Sequence, residues 1–234
     1  MVPALLLMAV LGRPSLRGQS IASDSSAAAP AVLEHFVATQ TEAARWPEET
    51  IEIEASLPKL KKTGRLSAIR RLLAVGHPDY QVLWIAGDSV TKEVIVRYVS
   101  ADARASELPA SSVAITPANY KIHYAGTVAL ENGLAYAFRI VPRNKREGLI
   151  NGVLWVDGKT GMAVRESGYL SKVPSIFLKR VNLTRVNELR AGAVESRITH
   201  VSIDTRLIGR AQLVIVERPS ADEAIRPGAA VAEQ

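Results

Sequence analysis

The chain has 234 residues, 47% apolar and 22% charged, ordinary proportions for a globular protein and enough for one generous β-rich domain. It contains no cysteine, which excludes a disulfide framework, a thiolate metal site, a cysteine nucleophile and the lipid-modified cysteine of a bacterial lipoprotein. The net charge of +6 could favour anionic surfaces, but it is far from the dense basic stripe of a nucleic-acid binder.

Residues 2–11 are an apolar run interrupted only by Pro3. The run is too short to cross a bilayer, which takes about 20 apolar residues, but it suits the h-region of a signal peptide. Small residues at Gly18 and Ser20, or Ser20 and Ala22, offer cleavage sites. Two features depart from the usual pattern: no lysine or arginine precedes the run, and Arg13 and Arg17 follow it. Residues 1–22 are expected to be a signal peptide, and the product an exported, soluble, unlipidated protein. Their removal would leave 27 basic against 23 acidic residues, a net charge of +4. Residues 23–30 are small, polar and alanine-rich, the composition of a flexible mature N-terminus.

Residues 31–44 read as a helix with Pro30 suited to its first turn; Val32, Leu33, Phe36, Val37 and Ala43 share one side. Ile51, Ile53, Ala55 and Leu57 alternate with Glu52, Glu54 and Ser56, a strand with one wet face. A basic turn over 59–64 leads to a second strand over 65–75, and the turn chemistry of 76–79 to a third over 80–86. Residues 89–103 carry two signals. Val94, Ile95, Val96, Tyr98 and Val99 favour strand, whereas Asp88 as N-cap and the spacing Val90, Val94, Tyr98, Ala101 favour helix. The longer periodicity predicts the helix. Residues 104–118, with Pro109 and Pro117, read as a loop long enough to lie over an opening.

Strands over 120–130 and 133–141 pair about Glu131-Asn132-Gly133, a hairpin signal. In the second, Tyr136, Phe138 and Ile140 face one way and Ala135, Ala137 and Arg139 the other. Strands over 149–156 and 163–170 flank the turn Asp157-Gly158-Lys159-Thr160-Gly161. Three more are expected over 175–184, 194–204 and 211–218, and residues 219–234 form a disordered tail. No composition shift divides the chain.

A leading helix, a three-strand meander, a second helix and a long antiparallel run resemble the order seen in the LolA/LolB superfamily. Its members include periplasmic lipoprotein carriers and the sensor-like RseB. The stretches YAFRIVPR (136–143) and GLINGVLWVDGKTGMAVRESG (148–168), with the closing strand over 209–216, look like those of LolA-type outer membrane lipoprotein-sorting proteins. The resemblance covers residues 31–218. It implies an α+β, mainly antiparallel β fold: a half-open curved β-barrel of about ten strands, with two helices covering the concave face. It also implies a carrier that holds an apolar ligand, such as the acyl chain of a lipoprotein, and has no active site. The alternative is an RseB-like interaction or sensor module that binds an envelope protein partner. No nucleic-acid partner and no transmembrane segment in the mature chain are expected. The residues expected to line the cavity are Phe36, Ile53, Trp84, Tyr98, Tyr136, Phe138, Leu154 and Trp155. Which face is concave is open, since Trp155 and Asp157 lie opposite Leu154 and Val156.

Catalytic imitations fail on context. Ser56 and Lys59 have S-x-x-K spacing and Lys159-Thr160-Gly161 spells K-T-G, but Ser56 lies in a strand with Pro58 intervening. Gly152 to Gly158 is one residue too long for a phosphate loop. His35, His77, His123 and His200 are scattered, without a ligand-pair spacing. No catalytic residue, metal ligand or cofactor is therefore expected. The basic run Lys59, Lys61, Lys62, Arg65, Arg70, Arg71 reads as a solvated hairpin edge; a functional version would set it against anionic headgroups or an acidic partner.

Overall fold

Alternation along each strand sends successive side chains to opposite faces, and register then decides which faces join. In the computed structural model the residues described are 17–40, 46–73, 78–131, 133–206 and 209–220. Ten strands form one sheet: β1 (Glu48–Leu57), β2 (Lys62–Leu72), β3 (Pro78–Gly87), β4 (Tyr120–Leu130), β5 (Gly133–Pro142), β6 (Ile150–Asp157), β7 (Ala163–Leu170), β8 (Leu178–Arg190), β9 (Ala193–Thr205) and β10 (Arg210–Pro219). Their order is β3-β2-β1-β10-β9-β8-β7-β6-β5-β4. The last strand thus closes onto the first, joining two meanders. The sheet is curved and unclosed, with β3 and β4 as open edges, as the half-open barrel expectation requires.

Directly paired residues of an antiparallel ladder point to the same side. One row of such pairs crosses all ten strands: Ile85, Leu66, Ile53, Ile215, Thr199, Arg185, Glu166, Leu154, Phe138, Tyr124. It is apolar at both wings and polar in the middle. Each wing has its own helix. The helix α1 (Arg17–Thr39) lies over β4 and β6, burying Ala29, Val32 and Phe36. The helix α2 (Ser89–Ser106) lies over β1, β2 and β3, burying Thr91 and Ile95. Because both partner sets belong to the same row, both helices cover the same, inner face.

Several boundaries differ from expectation. The first helix starts at Arg17 rather than near residue 31, taking in residues 23–30, and ends at Thr39. Ala27 to Ala29 are strong helix formers, and Ala29 is buried on the sheet. Pro30 lies inside the helix on its exposed side, where it forfeits one backbone bond. Asp88 caps α2 through Val90 N–H at 2.9 Å, so the helix outweighs the strand propensity of residues 94–99. The loop expected over 104–118 holds the last residues of α2 and a one-turn helix, α3 (Ala110–Val113). It is pinned by the Asn119 amide, which donates to Ser111 O at 2.8 Å and Ala114 O at 2.9 Å. The strand expected over 175–184 begins at Leu178 and continues to Arg190, since its polar half pairs with β9. The expectations for residues 1–16, Ala43, Ala74, Val75, His77, Asn132 and 221–234 fall outside the described residues.

Candidate functional site

The inner face offers two different surfaces. Under α1, Tyr120, Tyr136, Phe138, Ile140, Leu149, Leu154 and Val156 form a buried apolar floor. The alternation of β5 places Tyr136, Phe138 and Ile140 there together. Tyr124 lies at the margin, its ring 6.3 Å from that of Tyr136 and 6.2 Å from that of Phe138. Burial pushes the Tyr120 hydroxyl up to about 12, and its oxygen accepts the Ile150 N–H at 3.2 Å. The helix above meets this floor with Ala29, Val32 and Phe36, flanked by Leu33 and Val37. Among the described side chains of this helix, polar fastening is concentrated at its C-terminal end. Gln40 accepts Ile115 N–H at 3.1 Å and donates to Ile115 O at 3.4 Å, and Thr39 donates to Gly161 O at 3.4 Å.

The helix α2 is fastened differently. Its floor, with Ile51, Ile53, Leu66, Ala68, Leu213 and Ile215, is apolar, but a charged network borders it. Arg70, 5% exposed, pairs with the buried Glu49, with Asp102 of α2 at 2.7 Å and with Glu217 at 3.2 Å. Tyr80 also donates to Asp102. Burial alone would weaken the Arg70 charge, but Asp102, Glu217 and Glu49 outweigh it and hold the guanidinium ionised. Burial pushes Glu49 up despite Arg70, because one guanidinium is shared among three carboxylates and Glu217 adds repulsion. At the opposite end of α2, Thr91 donates to Thr63 O at 3.0 Å and Lys62 pairs with Asp88 at 3.0 Å.

Between the helices, the middle of the face is polar. Burial raises Glu166, with Arg185 at 3.5 Å and Arg197 opposing. Burial also disfavours the Arg185 charge, but Glu166 and Glu217 overcome it and raise its pKa. Burial and the neighbouring Arg185 lower that of Arg197, which stacks over Trp46 at 5.4 Å.

The eight residues expected at the cavity are divided by this geometry. Phe36, Tyr136, Phe138 and Leu154 meet under α1. Ile53 lies in the floor under α2, and Tyr98 packs against that floor from α2 itself. Trp84 pairs with Ser67 and Trp155 with Ala137, which puts both on the outer face. Trp84 is half exposed, and Arg165 stacks over Trp155 at 5.2 Å. The outer face also carries two shallow hollows of about 380 and 320 Å³ that share Gln212 and Val214. The charged network was missed: Arg70 sits inside, not on a solvated edge. Its signal was phase, since Glu49 continues Ile51 and Ile53, Arg70 continues Leu66 and Ala68, and Glu217 continues Leu213 and Ile215.

No protein-family model matches the chain, and no curated protein matches it. Similar solved structures include a DUF1329 family protein from Desulfovibrio piger, 12% identical, with 82% of this chain and 93% of that one covered and a TM-score of 0.42. The LolA superfamily protein NE2245 from Nitrosomonas europaea is 11% identical, with 85% and 97% covered and a TM-score of 0.40. MucB is 12% identical, with 89% and 96% covered and a TM-score of 0.29. The resemblance to the LolA/LolB superfamily read from the sequence is met again among these structures. It is a likeness of fold, and at these scores it carries no weight for what this chain binds.

Proposed function

We propose that the chain is an exported periplasmic binding protein that takes an apolar ligand, an acyl chain or the acylated end of a lipoprotein, between α1 and the floor of β4, β5 and β6. The observation that carries this reading is the contrast between the two helices. Ion pairs tie α2 to the sheet, whereas α1, over its described side chains, rests on an aromatic floor through a narrow apolar stripe and is fastened near its end by Gln40 and Thr39. A helix held in that way can tilt aside and let a ligand replace its own apolar contacts. An acyl chain hiding about 300 Å² on such a floor would gain roughly 7 kcal/mol.

The purified chain is expected to retain lipid detectable by mass spectrometry after organic extraction, and to bind a fluorescent fatty acid. Phe138→Glu should abolish that binding while circular dichroism reports a folded sheet. Lipid-free preparations that also ignore the fatty acid would sink the carrier reading. A second reading, a module that binds an envelope protein, is favoured by the open edge strand β3, where Val82, Leu83 and Trp84 are each about half exposed. A stoichiometric protein recovered from envelope extracts, without lipid, would support it.

A further inference from the structure

Because strand direction alternates, the ends of β1, β3, β5, β7 and β9 meet the starts of the even-numbered strands at one end of the sheet. Four of the five connections there are basic. The turn after β1 carries Lys59 and Lys61, and the β5–β6 loop carries Arg143, Lys145 and Arg146. Lys172 and Arg206 come from the β7–β8 and β9–β10 loops. Against these seven cations the same four loops hold one acid, Glu147, which is already paired with Lys172 at 3.0 Å. The fifth connection at this end, between β3 and β4, carries α2 and α3 and is mixed in charge; its Asp88 is paired with Lys62 at 3.0 Å.

The same end carries exposed apolar side chains. Ile176 is 80% exposed, Phe177 56% and Leu60 40%. The loops bearing them form one contiguous surface. The aliphatic part of Lys59 lies beside Gly209. Arg206 donates from its side chain to Ile176 O at 2.8 Å and from its backbone to Phe177 O at 3.0 Å. Ser171 donates to Arg146 O at 3.0 Å, and Arg146 in turn to the Asn119 side chain at 2.8 Å. The Ile176-Phe177 tip is thus held out on a hydrogen-bonded base rather than folded onto a core.

We propose that this end of the sheet docks on an anionic lipid bilayer, with Ile176 and Phe177 entering the acyl boundary and the basic loops meeting headgroup phosphates. Two terms act together here. Apolar side chains gain by leaving water at the interface, and each nearby Lys or Arg adds about fivefold to affinity for an anionic leaflet. A protein partner would need an acidic rim around an apolar pocket of matching shape, whereas a bilayer presents both layers over any area. No helix among the described residues is long and apolar enough to cross a membrane, and the contact proposed is a peripheral one. It does not depend on ligand capture under α1.

The test is co-flotation of the full chain with vesicles of phosphatidylcholine alone or with phosphatidylglycerol added. Binding is expected to anionic vesicles only, and to fall at least tenfold in 0.5 M salt, as screening of exposed charge requires (the salt level is about five times that giving a 10 Å screening length). Ile176→Glu with Phe177→Glu should reduce it at least tenfold, and Lys59→Glu with Lys145→Glu similarly, while Arg190→Glu at the other end should leave it unchanged. Equal binding to neutral vesicles, indifference to the Ile176 and Phe177 changes, or capture of heparin and DNA without vesicle binding would each overturn the proposal. Circular dichroism of every variant separates lost docking from lost fold.

Discussion

Arg70 and Glu49 stand directly opposite one another in the β1–β2 register, both buried, and the same guanidinium reaches Glu217 on β10 and Asp102 on α2. One cation therefore joins the two meanders and clamps the helix that connects them. Replacing Arg70 with Met would leave Glu49 buried without its ion-pair partner and Glu217 with only the more distant Arg197 at 3.6 Å, while part-exposed Asp102 keeps Tyr80. A loss of about 3–5 kcal/mol is expected in urea unfolding at pH 7. The deficit should shrink in acid, where the stranded carboxylates take up protons; a deficit independent of pH would count against the clamp.

Glu166 allows a pH prediction. Its carboxyl is raised by burial, so the fold favours the protonated form. A group raised in the fold contributes stability that is fully present below its unfolded pKa and is lost as pH rises through its folded one. Glu166→Gln removes that loss. The melting temperature of the variant minus that of the parent should therefore increase from pH 4 to pH 8. A flat difference would contradict the assignment.

Gly152 and Gly168 pair across β6 and β7 so closely that a Cβ on either would strike the other strand: 2.0 Å from Ser167 O for Gly152, 2.3 Å from Asn151 O for Gly168. The backbones must separate to admit even alanine. Gly152→Ala is expected to cost at least about 3 kcal/mol, at the upper end of ordinary substitutions. Gly192→Ala is a control with open space around it and only its φ of +81° to strain; it should cost about 1 kcal/mol. Equal losses in chemical denaturation would refute the close approach.

Phe36 anchors α1 to the sheet and is 5% exposed. Phe36→Ala should remove about 3 kcal/mol of local packing. Hydrogen exchange by mass spectrometry should then accelerate in α1, while α2, with its own core and ion pairs, keeps its protection. Uniform acceleration through both helices would mean that they are not independently held.

Much of this architecture was legible from period and turn chemistry. The alternation of Ile51, Ile53 and Ala55, the Asp88 cap and the hairpin of β4 and β5 are local signals, and they appear where expected. The boundaries that moved involve weak local preference. Pro30 reads as a helix start until Ala29 is seen packed on the sheet, and the polar half of β8 reads as loop until β9 pairs with it.

Side-chain phase along each strand, and hence which residues can share a face, was present in the chain from the outset, because it depends on neighbours one and two positions away. Which of the two faces lies inward was not, because that depends on pairings and helix placements between distant segments. Trp155 and Leu154 differ by one residue, yet only the packing of α1 assigns Leu154 to the core and Trp155 to the outside. The burial of Arg70 is of the same kind: strand phase puts it in line with Leu66 and Ala68, but only pairing with β10, whose Glu217 lies 147 residues away, and the packing of α2 show that this line faces inward.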